Sequence, residues 1–357
     1  MPTINANDGP VAITGAAGYI GSHTVHAFLE RGYTVRACVT NANAPEKVNH
    51  LKAMADEGLP GTLEIVEGNI LQEGSYDAPF NECAAVLHVG TPMLYGGENT
   101  PRETYDGMVD GIYKVLGSAT KAGTVKRFVY TSSFAAIGHP APSGYVYTED
   151  DWADTHRERD ASWTEDRIDQ DGGLAYAWAK VATEKIVNAY TEEHGGFDGV
   201  SICPCVVLGP LLSTAHEGLG SWQYALARML EGKPCPRGWQ ALWNVVDVRD
   251  VGEAHAKVCE SENVKPSSRY QLTATDERGE LNVDQLQEHL QKLFPDLTVG
   301  GRPDEMAAFL ERRGKIHDGP RAHCTNAIND LDLVTHAIED TLKATGETMI
   351  SLGLCKP

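Results

Sequence analysis

Continuously apolar runs recur along residues 11–210, most of them followed by a helical pattern. "VAITG" (11–15) precedes "YIGSHTVHAFLERG", and "YTVRACV" (33–39) precedes "EKVNHLKAMADEG". "LEIVEGNI" (63–70), "AAVLHVGTP" (84–92), "KRFVYTSS" (126–133) and "GVSICPCVVLGP" (199–210) continue the series, with helices expected over "TYDGMVDGIYKVLGSATKAG" and over 174–194. A strand that is apolar at every residue, rather than every second one, is buried on both faces. Such strands alternating with helices predict an α/β fold: a doubly wound parallel sheet with helices on either side.

Beyond residue 210 the regularity weakens. "SWQYALARMLEGKPCPRGWQALWN" holds three of the six tryptophans, Trp222, Trp239 and Trp243, and "VVDVRDVGEAHAKVCE" reads as a strand and helix returning to the sheet. The expected division is residues 1–210 with 243–275 in one domain, and 211–242 with 276–357 in a smaller C-terminal lobe. The acidic stretch 148–173 reads as a solvated surface insertion, with a lid over the site as the minority reading.

Gly15, Gly18 and Gly21 stand three apart where the first strand turns into the first helix. Glycine there permits a sharp turn and close approach of backbone to a pyrophosphate, and the helix N-terminus offers free N–H groups to phosphate. The loop Gly15, Ala17, Gly18, Tyr19, Ile20 and Gly21 is therefore a candidate dinucleotide cradle. An NAD-preferring site carries an acid near the end of the second strand. Here no acid occurs before Glu46; Thr40 takes the place, with Arg36 and Lys47 as nearby cations. That pattern favours NADP(H) over NAD(H).

Tyr176 and Lys180, in "AYAWAKVATEK", share one helix face at i, i+4. Of the 13 tyrosines only this one has a lysine four residues later. A cation beside the phenol is expected to lower its pKa from about 10 and make it a proton donor near neutrality. Ser133 ends a strand at the edge where ligands bind, placed to donate to a carbonyl oxygen.

A net charge of -20 excludes a general nucleic-acid binder and docking on anionic lipid. The polar N-terminus and the absence of a membrane-length apolar run make the cytoplasm the default location. Eight scattered cysteines without a Cys-x-x-Cys pair fit a reducing compartment, and the 13 histidines form no metal motif.

With these pieces in order, the sequence resembles the extended short-chain dehydrogenase/reductases, in the branch of dihydroflavonol reductase, cinnamoyl-CoA reductase and microbial aldehyde and ketone reductases. The resemblance rests on "TGAAGYIGS" (14–22), "GYTVRA" (32–37), "LHVGTPM" (87–93), "KRFVYTSS" (126–133), "EDDW" (149–152), "YAWAK" (176–180), "PCVVLGP" (204–210) and "VVDVRDV" (245–251). It implies a catalytic triad of Ser133, Tyr176 and Lys180, with Lys180 also on the nicotinamide ribose. It places Asn69 and Ile70 at the adenine, Val89, Gly90, Thr91 and Pro92 toward the nicotinamide, and Pro204, Val206 and Val207 on the carboxamide. Three positions depart from the family: Thr40 replaces an arginine that reads the 2′-phosphate, Asn69 replaces an aspartate, and Gly138 replaces a polar substrate-reading residue of the plant flavonoid enzymes. The loop before Tyr176 is also longer.

The expected reaction is reversible hydride transfer between a nicotinamide and a small-molecule ketone, aldehyde or alcohol. An apolar or aromatic pocket is expected from Met93, Tyr95, Phe134, Leu208, Trp222 and Tyr224 beside Ser133 and Tyr176, with Trp178 and Trp239 as further candidates; each could equally be core. Alternatives are a hydroxysteroid dehydrogenase, a nucleotide-sugar epimerase or dehydratase, and, from another class, an NADP(H)-sensing regulator without turnover. The chain is expected to be a monomer or homodimer.

Overall fold

The computed structural model describes residues 3–91, 100–138, 145–154, 168–216, 221–236, 243–274, 280–303 and 321–356. Its first half runs β1 (Val11–Thr14), α1 (Tyr19–Glu30), β2 (Thr34–Val39), α2 (Pro45–Ala55), β3 (Thr62–Glu67), α3 (Asp77–Phe80), β4 (Ala85–His88), α4 (Pro101–Ala122) and β5 (Arg127–Thr131). Then come β6 (Val146–Tyr147), α5 (Gly172–His194), β7 (Asp198–Pro204), β8 (Val206–Leu208), α6 (Trp222–Leu230), β9 (Trp243–Asp247), α7 (Val248–Glu260) and β10 (Arg269–Leu272). β11 (Glu280–Leu281), α8 (Val283–Leu293), β12 (Arg321–Ala322), α9 (Thr325–Leu331) and α10 (Ile338–Ser351) follow.

Seven of these strands form one parallel sheet in the order β10-β7-β5-β4-β1-β2-β3. The fold is the doubly wound α/β class. Chain direction across the sheet reverses between β1 and β4, and ligands bind in the crevice beyond the strand ends at such a point. β1, β4 and β5 are buried at every residue, as the apolar runs they carry require, with Arg127 of β5 the one buried charge. α1 packs on α7, and α4 on α5. α4 opens with a reciprocal Thr100–Glu103 capping box and Pro101, and closes on left-handed Gly123. At the start of β5, fully buried Arg127 grips Asp198, the first residue of β7, through Nε (2.8 Å) and Nη2 (3.0 Å).

Two expectations shift here. The run 199–210 is two strands, not one. Cys205 N–H bonds to Leu272 O (2.9 Å), and the chain then leaves the main sheet, so that β8 pairs with β9 in a separate three-stranded sheet with β11. Residues 243–247 therefore do not return to the main sheet. The return is made by α7 and by β10, whose Arg269 and Gln271 are buried polar residues that interrupt the apolar signal. A second hydrophobic core, containing Leu208, Leu226, Trp243, Leu286 and Leu342, sits around the smaller sheet. Among the described residues no helix is long and apolar enough to cross a membrane.

Candidate active site

β5 ends at Thr131, and the next residues turn into a short 3-10 helix over Phe134–Ala136 capped by Ser133. The Ser133 hydroxyl oxygen accepts from Ala135 N–H (3.1 Å), leaving its own proton to donate. Opposite lies α5, started by Asp171, whose side chain accepts from Gly173 and Leu174 N–H. One face of α5 carries Tyr176 and Lys180. The Ser133 side chain stands as a polar neighbour of the Tyr176 phenol and favours its phenolate. Lys180 is 2% exposed and donates to Thr131 O (2.8 Å) and Thr91 Oγ1 (3.0 Å). Its ammonium lies 5.6 Å from the Tyr176 ring centroid and 5.0 Å from that of Tyr130. Ser133, Thr91 and the Tyr176–Lys180 pair are thus brought together from three separate parts of the sequence.

The electrostatics differ from the simple expectation of a lysine that lowers its neighbour's pKa. Burial pushes the Tyr176 phenol above its ordinary value, and the Ser133 side chain only partly opposes this. Burial also brings Lys180 down to about 7, against the opposing pulls of Cys203 and then Glu184. In this dry setting desolvation is the leading influence on both groups.

The glycine loop lies at the switch point. Gly15 has φ +65°, and a Cβ there would stand 2.4 Å from Gly90 Cα, so the β1 and β4 ends meet backbone to backbone. A Cβ on Gly21 would stand 2.1 Å from Gly15 O, whereas one on Gly18 would meet only that oxygen at 3.2 Å. Gly18 N-caps α1, so Ala17 to Gly21 present the start of a twelve-residue helix to the crevice. These features fit a pyrophosphate. Tyr19 turns its side chain inward: its hydroxyl donates to Gly209 O (2.8 Å) and its ring touches both cores. Ile20 and Val89 pack against the main core. Ile70 and Thr91 line a small cavity with His88 and Tyr130.

At the far end of the crevice, Arg36 is not a phosphate ligand. It lies level with Ala12, before the strand end, where Nε donates to Glu64 (2.9 Å) and Nη1 to the carbonyls of Pro79 (3.3 Å) and Asn81. Lys47, on the first turn of α2, instead approaches Thr40 Oγ1 (3.5 Å), and both are exposed. Asn69 Oδ1 accepts from Leu71 N–H (3.0 Å), leaving its amide donor outward. In the segment after β7, Val207 O is taken by Gln223 Nε2 (2.8 Å), while Pro204 and Val206 flank Cys205.

The pocket candidates divide. Phe134 stands edge-on to Tyr147 (5.4 Å between ring centroids), and its ring occupies the space of a side chain at 138: a Cβ on Gly138 would lie 2.4 Å from Phe134 Cζ. Leu208 is fully buried in the second core and cannot line a pocket; β8 turns it toward the smaller sheet. Trp222 packs on Trp243 (4.5 Å) and Tyr224 under Arg228 (5.9 Å), both half-buried. Trp178 packs with Trp152, Ala136 and Ala153. Pro92, Met93, Tyr95 and Trp239 lie outside the described residues, as do 155–167 of the acidic stretch. The sequence reading missed Glu184, one turn beyond Lys180, although its spacing places it on the same face.

The profile of the NAD dependent epimerase/dehydratase family matches residues 11–272. Cinnamoyl-CoA reductase CAD2 of Medicago truncatula is 31% identical over 289 residues, 81% of this chain and 82% of its own length. Dihydroflavonol 4-reductase of Hordeum vulgare is 34% identical over 213 residues, 59% of this chain and 56% of its own. The chain therefore spans little more than half of that relative. Gre2 of Candida albicans, solved in complex with NADPH, superposes with a TM-score of 0.78 at 22% identity over 96% of this chain and 99% of its own. Vestitone reductase from alfalfa does so with a TM-score of 0.71 at 22% identity, over 97% and 99%. At that identity the two structures speak to the fold alone.

Proposed function

Because the chain belongs to the NAD dependent epimerase/dehydratase family, the extended short-chain dehydrogenase/reductases, we propose that it is a carbonyl reductase using NADP(H). Its substrate is an apolar or aromatic ketone or aldehyde. The observation that carries this reading is the convergence of Ser133 and the Tyr176 phenol, with Lys180 anchored on Thr131 O one turn along the same helix. The glycine loop would hold the pyrophosphate, Thr91 and Lys180 the nicotinamide ribose, and Thr40 and Lys47 the 2′-phosphate. The bound nicotinamide supplies the hydride that reaches the carbonyl carbon.

The protein's part is alignment and proton delivery. Ser133 donates to the carbonyl oxygen and fixes it beside the phenol. Tyr176, held protonated by burial, is loaded as the acid; it gives its proton to the oxygen as the carbon is reduced, and the product is the alcohol. Lys180 in its charged form stabilises the phenolate that remains, and one of its three N–H donors is left over after Thr131 O and Thr91. The preference for NADP(H) draws support from the absence of an acid in β2 or at its end, and from the NADPH complex of Gre2.

The substrate class draws on Phe134. A polar side chain at 138 could reach the pocket only if that ring moved, which argues against dihydroflavonols. The nucleotide-sugar reading needs free cations for a diphosphate. Arg249 is instead bidentate on Asp247 (2.9 and 2.7 Å), and Lys233 is paired with Glu231; Arg228 lies over the Tyr224 ring (5.9 Å) with its buried Nε unbonded, and Arg237 lies outside the described residues. NADPH and NADH consumption over a panel of aldehydes and ketones tests the proposal. Turnover with NADPH in the lead supports it, and tight cofactor binding with no turnover on any carbonyl overturns it.

A further inference from the structure

Glu184 is 0% exposed, yet it carries a carboxylate. Removing a carboxylate from water is costly, and for stability alone an apolar side chain of similar size serves as well or better. Its surroundings account for the charge. Ser132 Oγ donates to Glu184 Oε2 (2.6 Å), and Arg269 Nε donates to Oε1. Ser132 adjoins Ser133, and its backbone N–H is bonded to Ile202 O (2.7 Å) on β7. Arg269 reaches on through Nη1 to Glu149 O and Asp151 O, both at 2.6 Å, and lies 3.8 Å over the Trp152 ring. The "EDDW" stretch, which no step of the reaction uses, is thereby tied to α5. On α5 itself, Tyr176, Lys180 and Glu184 follow at i, i+4 and i+8, all against the end of β5.

We propose that Glu184 is a positioning residue for the reductase site, clamping the strand end that bears Ser133 to the helix face that bears Tyr176 and Lys180. The inference rests on the reductase reading above. Three side-chain contacts hold the end of β5 to α5: Tyr130 Oη with Thr183 Oγ1 (2.6 Å), Lys180 on Thr131 O, and Ser132 on Glu184. They fall on successive residues of the strand end, and Ser132–Glu184 is the one that adjoins Ser133, so its loss frees Ser133 to drift from the phenol while the other two keep the strand on the helix. The charge has a role as well. The groups around Lys180 are Tyr176 on its own helix, Tyr130 on β5, His88 on β4 and Cys203 on β7. His88 is kept neutral by burial, at about 3, and burial raises the Cys203 thiol. That leaves Glu184 as the negative charge acting on Lys180 among the described residues, and it favours the ammonium.

The test uses the full chain with NADPH and the best carbonyl of the panel, comparing Glu184→Gln, Glu184→Asp and Ser132→Ala with wild type and Tyr176→Phe. In Glu184→Gln, kcat should fall about tenfold or more while the NADPH Kd stays within about threefold. The alkaline limb of kcat should move down by about half a unit as Lys180 loses its counter-charge. Glu184→Asp, which keeps the charge, should hold the limb near wild type. If the glutamine variant does not fold, Ser132→Ala removes one contact only and should lower kcat several-fold with NADPH affinity unchanged. Wild-type kcat and an unmoved limb in Glu184→Gln would overturn the clamp, as would wild-type kcat in a folded Ser132→Ala when the glutamine variant does not fold. So would a loss carried entirely by NADPH affinity. A fully active Tyr176→Phe protein would instead remove the reductase reading itself.

Discussion

The two ends of the crevice are built differently. At the nicotinamide end every polar group is held by another: Lys180 by Thr131 and Thr91, Ser133 by Ala135, and Thr131 Oγ1 by His255 Nε2 at 2.7 Å. His255 in turn uses Nδ1 on Val251 O (2.7 Å), and burial keeps its pKa down at about 4. At the adenine-ribose end, Thr40 and Lys47 are exposed and approach only at 3.5 Å. A group that moves a proton needs its geometry settled before substrate arrives. A group that distinguishes two cofactors by one phosphate can work as an exposed charge, and contributes correspondingly little. Substitutions should therefore have large effects at the first end and graded ones at the second.

The largest expected effect is that of Lys180→Met on turnover, a loss of about a hundredfold or more in kcat, read from initial rates at saturating NADPH. A loss under tenfold would erase the contrast between the ends. The same variant sharpens it through stability. Lys180 titrates near 10.5 when unfolded and about 7 when folded. Between those values the unfolded chain binds more protons, so wild-type stability rises with pH across the window. Measured as a difference in Tm, Lys180→Met should look most stable relative to wild type below pH 7, and this advantage should shrink as pH rises toward 10.

At the hinge between the two ends, Gly15→Ala forces a Cβ into Gly90 at a positive φ. It should cost about 2–3 kcal/mol in denaturant unfolding and weaken both cofactors alike. The smallest effect is expected at the exposed end. Lys47→Ala should raise the KM for NADPH about three- to tenfold and leave that for NADH unchanged, with kcat preserved. An equal change for both cofactors would show that Lys47 does not read the 2′-phosphate.

The same contrast governs what could be read from the sequence. The sheet was legible because β1, β4, β5 and β7 are almost wholly buried and so carry mainly apolar runs. The glycine loop was legible because Gly15 and Gly21 each answer a backbone constraint that no residue with a Cβ meets as well. The neighbourhood of Ser133, Tyr176 and Lys180 followed from their order and from the face of one helix. Features that depend on partners distant in sequence stayed hidden. Arg36 looks free until Glu64 and the carbonyls at 79 and 81 are folded against it. Leu208 reads as a strand-end residue until the chain changes sheets at Cys205. Burial decides the protonation of Tyr176 and Lys180, and spacing alone conveys only their attraction. Glu184 had a visible position but no visible role, because Ser132 and Arg269 complete it from other strands.

One measurement bears most directly on the account: single-turnover reduction of a carbonyl by enzyme-bound NADPH, wild type beside Tyr176→Phe, with NADPH affinity measured on both. The account predicts equal affinity and a hydride-transfer rate lower by about a thousandfold in the variant, because the acid is gone and the cradle is intact. Equal rates in the two proteins would contradict it and take Tyr176 out of the chemistry.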